Sequence, residues 1–150
     1  MTTAQERLLA GRLQKAIEQQ PEILSLNKIL LGIGGLRLVA PPQKDSVIKF
    51  LIIGGFVMGG SVLFRKMEEG ACHANLAQLW NEPRNGLVGI GTGCALSEDG
   101  LWRQHSWGLR REGILETTLE RTKYFGILLQ KEDADSFTQA NKRLCRVMRS

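Results

Sequence analysis

The chain has little of several things. Its 150 residues include three cysteines, four prolines and a single tyrosine. Three cysteines are too few and too odd in number for a disulfide framework, and Cys72, Cys94 and Cys145 show no CxxC spacing. The expectation is free thiols in a thiol-preserving, cytoplasmic compartment. Long hydrophobic runs are also missing. The most apolar stretch, Phe50 to Phe64, spans fifteen residues, holds four glycines and is bounded by Lys49 and Arg65. That falls short of a transmembrane span. The first residues are polar and amphipathic, without the apolar core of a signal peptide. Charge of one sign does not cluster either: the formal charge is +5, but the basic residues are spread along the chain. Lys142, Arg143, Arg146 and Arg149 gather near the end, where positive charge also suits a helix C-terminus. No nucleic-acid motif accompanies them, so nucleic acid is not an expected partner.

What is present is enough for one domain with a real core, and no repeat, low-complexity tract or interdomain linker divides it. Thr3 and Glu6 have capping-box spacing, followed by Leu9, Leu13, Ala16 and Ile17 at helical intervals. Pro21 suits the first position of a second helix, which runs through Leu24 and Leu31 to the glycines at 32, 34 and 35. Leu36 to Ala40 reads as a short strand. Between Val47 and Phe64 the apolar run broken by glycines predicts two strands joined by a glycine turn. Cys72 to Trp80 is a helix, with 72, 76, 79 and 80 on one face. Strands follow at 87–96, 102–109, 114–119 and 124–129, and Asp133 caps a last helix that turns Phe137, Ala140, Leu144 and Met148 inward. The expected fold is α+β: N-terminal helices and a central cysteine-bearing helix packed on an antiparallel sheet.

Cys72 is the cysteine placed for chemistry. At a helix N-terminus, unpaired N–H groups and the macrodipole favour the thiolate, and the same N–H groups can hold an oxyanion. Gly70 and Ala71 leave the approach to the sulfur open. Cys94 falls inside a strand, and Cys145 has no histidine near it in sequence.

The partner groups come from the strands around Gly113. With a two-residue turn at Arg111 and Glu112, cross-strand partners have numbers summing to 223. Glu116 then faces Trp107 and Thr118 faces His105, and alternation puts all four side chains on one sheet face. His105 and Glu116 become diagonal neighbours; a four-residue loop keeps this parity, whereas a three-residue loop puts Glu116 on the other face. In this reading His105 takes the thiol proton, Glu116 orients and stabilises the imidazolium, and Trp107 shields the site and contacts substrate. His73 should point away along the helix. Metal binding by Cys72, His73, Cys94 and His105 is the competing chemistry, but their spacing matches no zinc motif. No metal or cofactor is therefore expected. Gly89-Ile90-Gly91-Thr92-Gly93 lacks the pattern of a phosphate loop, so close packing is the expected reason for its glycines.

Cysteine on a helix, then histidine and an acid on successive antiparallel strands, resembles the papain-like and transglutaminase-like cysteine hydrolases. More narrowly, Cys72-His73-x-Asn75, His105-Ser106-Trp107, Glu116-Thr117-Thr118 and Tyr124-Phe125-Gly126 are similar to small bacterial proteins of that broad type. The resemblance covers residues 70 to 129. It implies the fold and the roles of nucleophile for Cys72, base for His105 and orienting acid for Glu116. It does not imply a substrate. The expected activity is attack of the thiolate on an amide or related acyl group, protein or peptide-like, through a thioester released to water or to an amine. Many such proteins carry aspartate or asparagine where this chain has Glu116. Nothing before Cys72 matches the side-chain amide that often completes their oxyanion hole; Asn75 is a stand-in, read first as a capping or packing residue. A non-catalytic interaction domain that keeps the fold is the alternative.

Overall fold

A computed structural model describes residues 2–149, with side chains through Lys142. The inward positions expected for Leu144 and Met148, Cys145 and the basic side chains of 143, 146 and 149 lie outside the described side chains. The elements are α1 (Thr3–Gln19), α2 (Glu22–Ile33), β1 (Arg37–Leu38), α3 (Ile48–Gly54), β2 (Phe56–Met58), β3 (Ser61–Phe64), α4 (Cys72–Trp80), β4 (Gly89–Leu96), β5 (Leu101–Arg110), β6 (Gly113–Glu116), β7 (Lys123–Leu129) and α5 (Lys131–Arg149). The architecture is mixed α+β. The strands are ordered β2-β7-β4-β5-β6-β3, with β1 pairing to β5. Two compact units form, and β4, β5 and β7 each contribute residues to both.

The first unit comprises residues 1–57, 93–104 and 121–127. Its helix α1 begins one residue earlier than the Thr3/Glu6 reading. Thr2 is the N-cap, accepting from the Gln5 N–H at 3.1 Å while the Gln5 side chain accepts from the Thr2 N–H at 2.8 Å. Glutamine completes a capping box as glutamate does, and Thr2-x-x-Gln5 has the same spacing. In α1 Leu13 turns inward as its periodicity demands. In α2 the inward face is Ile23, Leu26 and Leu30, while Leu24 and Leu31 are exposed. The inward side chains form a core with Leu38, Ile48, Leu51, Cys94, Leu96, Trp102 and Phe125. The orphan carbonyls that end α2 are satisfied from outside the helix. The Trp102 indole N–H donates to Gly34 O at 2.8 Å, and Lys123 Nζ donates to Ile33 O at 2.9 Å.

The glycine-broken run departs from expectation. Residues 48–54 are helical rather than a strand, with Ile48 and Leu51 buried one turn apart. Short apolar runs do not distinguish strand from buried helix by periodicity. What decides is Asp45, whose carboxylate accepts the Val47 N–H at 2.9 Å and whose carbonyl accepts the Ile48 N–H at 3.3 Å. This aspartate turn starts the helix. Gly59 and Gly60 do link two strands, but β2 and β3 stand at opposite ends of the strand order instead of pairing.

The second unit comprises residues 58–92, 105–120 and 128–150. Helix α4 lays Leu76 against Ile90 and Ala134, with Trp80, Leu87, Leu129 and Phe137 around them. Helix α5 starts at Lys131, two residues before the expected cap Asp133, and turns Ala134 and Thr138 inward while Ala140 is exposed. The β5–β6 hairpin has the register read from the sequence: Gly108↔Leu115, Leu109↔Ile114 and Arg110↔Gly113. The sheet is not wholly antiparallel, however. β3 runs parallel to β6, from Ser61↔Gly113 to Phe64↔Glu116, and β1 runs parallel to β5. Parallel partners require long connections, and both pairs are separated by helices, so no local turn signal announces them.

Candidate active site

Every candidate residue of the site belongs to the second unit. Cys72 occupies the first position of the nine-residue helix α4, and its N-cap Ala71 supplies no side-chain hydrogen bond. The first-turn N–H groups are therefore not taken by a cap. The chain enters through Gly70, whose φ of 73° lies in the left-handed region; space is not the constraint, because a Cβ there would meet nothing within 4 Å. Glycine fills that position for its backbone alone.

Strand β5 brings His105, which is 1% exposed, and β6 brings Glu116, which is 0% exposed. His105 Nε2 and Glu116 Oε1 are 2.8 Å apart. The second carboxylate oxygen accepts from the N–H groups of Thr117 (2.9 Å) and Thr118 (3.0 Å) and from the Thr118 hydroxyl (3.1 Å). A buried carboxylate is tolerated only when paired and fully hydrogen-bonded, and Glu116 meets both conditions. Because it is an acceptor at both oxygens, it makes His105 Nε2 the donor. His105 also hydrogen-bonds the Cys72 thiol, and with Nε2 engaged that contact falls to Nδ1.

Burial pushes the Cys72 thiol up, but hydrogen bonds to His105 and then His73, with the charge of both rings, outweigh it. The thiol is held at about 5, well below its ordinary 9.0. For His105, burial pushes the pKa down, and the bonds to Cys72 and Glu116 reverse that and raise it above the usual 6.5. The two shifts describe one interaction, a thiolate–imidazolium pair. Cys94 is the contrast. Burial, with Asp45 nearby, pushes that thiol up to about 12, so it stays protonated in the core.

His73 does not point away. Its Nδ1 lies 2.6 Å from Ser106 Oγ, which in turn lies 2.8 Å from Thr92 Oγ1. The ring meets Phe137 edge-on, with centroids 5.7 Å apart. A helix lying flat over one face of a strand would send residue 73 outward. Here the first turn of α4 reaches two consecutive strand residues, His105 and Ser106, which alternate in direction. His73 and Ser106 are the functional candidates that sequence reasoning missed; their signal was the adjacency of Cys72-His73 on one element and His105-Ser106 on the other.

Trp107, expected to bind substrate, is 0% exposed. Its ring stacks on His105 with centroids 6.0 Å apart, and its indole fills the space where a Gly91 side chain would stand. It has no surface to offer a ligand from outside, and it meets the site through its stacking on the imidazole. Close approach also accounts for Gly93, whose Cβ would run into Phe125 O and the Gly126 Cα, and Gly89, whose Cβ would lie 2.8 Å from Leu128 and 3.0 Å from Leu129 O. Asn75 is 5% exposed, and its amide donates to Glu68 O at 2.9 Å and Thr117 Oγ1 at 3.2 Å. With both N–H bonds engaged, it ties the approach to Cys72 onto β6 and is not an oxyanion donor. Among the described residues no group of three or more His, Cys, Asp or Glu side chains is arranged to hold a metal ion, and no helix is long and apolar enough to cross a membrane.

No family model, curated protein or solved structure matches the chain.

Proposed function

We propose that this chain is a thiol-dependent hydrolase or acyl transferase of papain-like or transglutaminase-like fold, using Cys72, His105 and Glu116. The observation that carries the reading is the buried His105–Glu116 pair, 2.8 Å between imidazole and carboxylate, acting on the partly buried Cys72 thiol. A structural cysteine has no use for a partner that ionises it.

The chemistry follows from the geometry. The thiolate attacks an acyl carbon, and the developing oxyanion meets the N–H groups of the first turn of α4. As the tetrahedral intermediate collapses, the C–N bond breaks and the imidazolium of His105 gives its proton to the leaving amine. Glu116 keeps the ring oriented with Nε2–H directed to its carboxylate. The thioester is then released to water, giving an acid, or to an amine, giving a new amide. A protein or peptide-like amide is the substrate class, in a compartment that keeps thiols reduced.

The test is intact-mass analysis after exposure to p-nitrophenyl acetate. An acetyl adduct should appear on Cys72 and be absent in Cys72→Ser. An unmodified Cys72 at neutral pH would remove the enzyme reading. It would favour the alternative, a non-catalytic interaction domain, which draws on the exposed Phe50 and Ile53 of α3 and, separately, Val62, Leu63 and Phe64 of β3.

A further inference from the structure

We infer that Ser106 and Thr92 are positioning residues of the site: two buried hydroxyls that hold the His73 ring beside Cys72, as Glu116 holds His105. This deepens the thiol-dependent reading above and rests on it.

His73 Nδ1 lies 2.6 Å from Ser106 Oγ, and that oxygen lies 2.8 Å from Thr92 Oγ1. Ser106 is 0% exposed and Thr92 7% exposed, so a partner lost from either hydroxyl is not replaced by bulk water. The other end of the line is the sulfur, because the His73 side chain also hydrogen-bonds the Cys72 thiol. Phe137 of α5 steadies the ring edge-on, at 80° between the planes.

Strand β4 supports both imidazoles from consecutive residues. At Gly91 the missing side chain admits the Trp107 indole, which stacks on His105. The next residue, Thr92, backs Ser106 and through it His73. Successive strand residues face opposite ways, so a glycine followed by a threonine serves one ring on each side. The glycine-dense run 89–93 thus carries one polar side chain, and that side chain belongs to the site.

Hydroxyls suit this task because they both donate and accept. When Nδ1 carries a hydrogen, it donates to Ser106, which donates to Thr92. When Nδ1 carries a lone pair, Thr92 donates to Ser106, which donates to the ring. The anchor survives either state, whereas a carboxylate would favour one. The titratable groups acting on the sulfur are His105 and His73; Glu116 on β6 stands behind His105, and α5 meets His73 with the uncharged Phe137. Without the hydroxyl pair the His73 ring is released to other rotamers, and its hydrogen bond and charge reach the thiol less.

The experiment follows alkylation of Cys72 by iodoacetamide against pH in wild type, Ser106→Ala, Thr92→Val and Thr92→Ser. Ser106→Ala should raise the midpoint by about half a pH unit or more, as expected when a charge-assisted bond is lost. Thr92→Val should raise it in the same direction, and Thr92→Ser, which keeps the hydroxyl, should restore the wild-type value. Made in a His73→Ala background, Ser106→Ala should move the midpoint no further, because its effect passes through that ring. An unmoved midpoint in Ser106→Ala, or an equal shift with and without His73, would overturn the inference. If Ser106→Ala does not fold, the Thr92 pair decides: equal midpoints for the valine and serine variants would overturn it. A wild-type midpoint near 9 would instead remove the thiolate reading beneath it.

Discussion

Alkylation of Cys72 by iodoacetamide should depend on pH in a way that no ordinary thiol reproduces. With the thiol at about 5 rather than 9.0, about three quarters of Cys72 is thiolate at pH 5.5, against roughly 0.03% of an unperturbed thiol. That is a ratio of about 2,400. Nucleophilicity falls with pKa at a Brønsted slope of about 0.4–0.5, so a thiolate four units less basic is about 40- to 100-fold slower. Net, wild type should react about 20- to 60-fold faster at pH 5.5 than a variant restored to 9.0. The advantage vanishes near pH 7. By pH 9.5 it inverts, with the restored variant some 30- to 80-fold faster. Crossing curves are thus the signature, and a single measurement at neutral pH would miss them. His73→Ala/His105→Ala should show a midpoint at or above 9.0, because burial then acts unopposed; His105→Ala alone should fall between, because His73 also lowers the thiol. Rates are read on the Cys72 peptide by mass spectrometry, which keeps Cys94 out of the signal. A wild-type midpoint near 9 that neither variant moves would refute the electrostatic argument.

Glu116→Gln keeps the shape but puts an amide N–H₂ among groups that now donate to the carboxylate; breaking a buried pair should cost about 3–5 kcal/mol in urea unfolding, and the Cys72 alkylation midpoint should rise. Unchanged values of both would remove Glu116 from the site. The pair also sets a pH window. The depressed thiol contributes stability that is full above 9.0 and lost as pH falls through about 5, while the raised His105 contributes stability that is full below 6.5 and lost as pH rises through its folded value. The wild-type-minus-Cys72→Ser difference in unfolding free energy should therefore climb by up to about 1.4 kcal/mol per pH unit between 5 and 6.5. A flat or falling difference there contradicts the ion pair. Gly91→Ala would drive a methyl group into the Trp107 indole, and a stability loss of about 1–3 kcal/mol is expected by thermal or urea melts. Tolerance of alanine would mean the indole is free to move.

The sequence carried the local rules well. The hairpin register was legible once a two-residue turn was assumed over a three-residue one of opposite parity, and the observed pairs all sum to 223. With that turn, parity alone sets His105 beside Glu116. What was not legible had no local cause. The helix at 48–54 depends on Asp45 caging the N–H of Val47, which an apolar run does not reveal. The parallel pairing of β3 with β6 joins segments 52 residues apart. His73 was lost to an assumption about helix placement: a flat approach hides it, and the observed approach of the first turn to both His105 and Ser106 does not.

The route by which the chain reaches Cys72 bears on how well the site tolerates error. From Phe64, paired to Glu116, the chain continues with the Arg65 N–H on Glu116 O (2.8 Å) and the Met67 N–H on Thr117 O (2.7 Å), and Asn75 fastens Glu68 to Thr117. The sulfur and the carboxylate are therefore referenced to one datum, the end of β6. A shift of that strand carries both ends of the relay together and subtracts out of the distance between them. Thermal or mutational drift becomes a common displacement, and of the three groups only His105, on β5, moves against a separate reference.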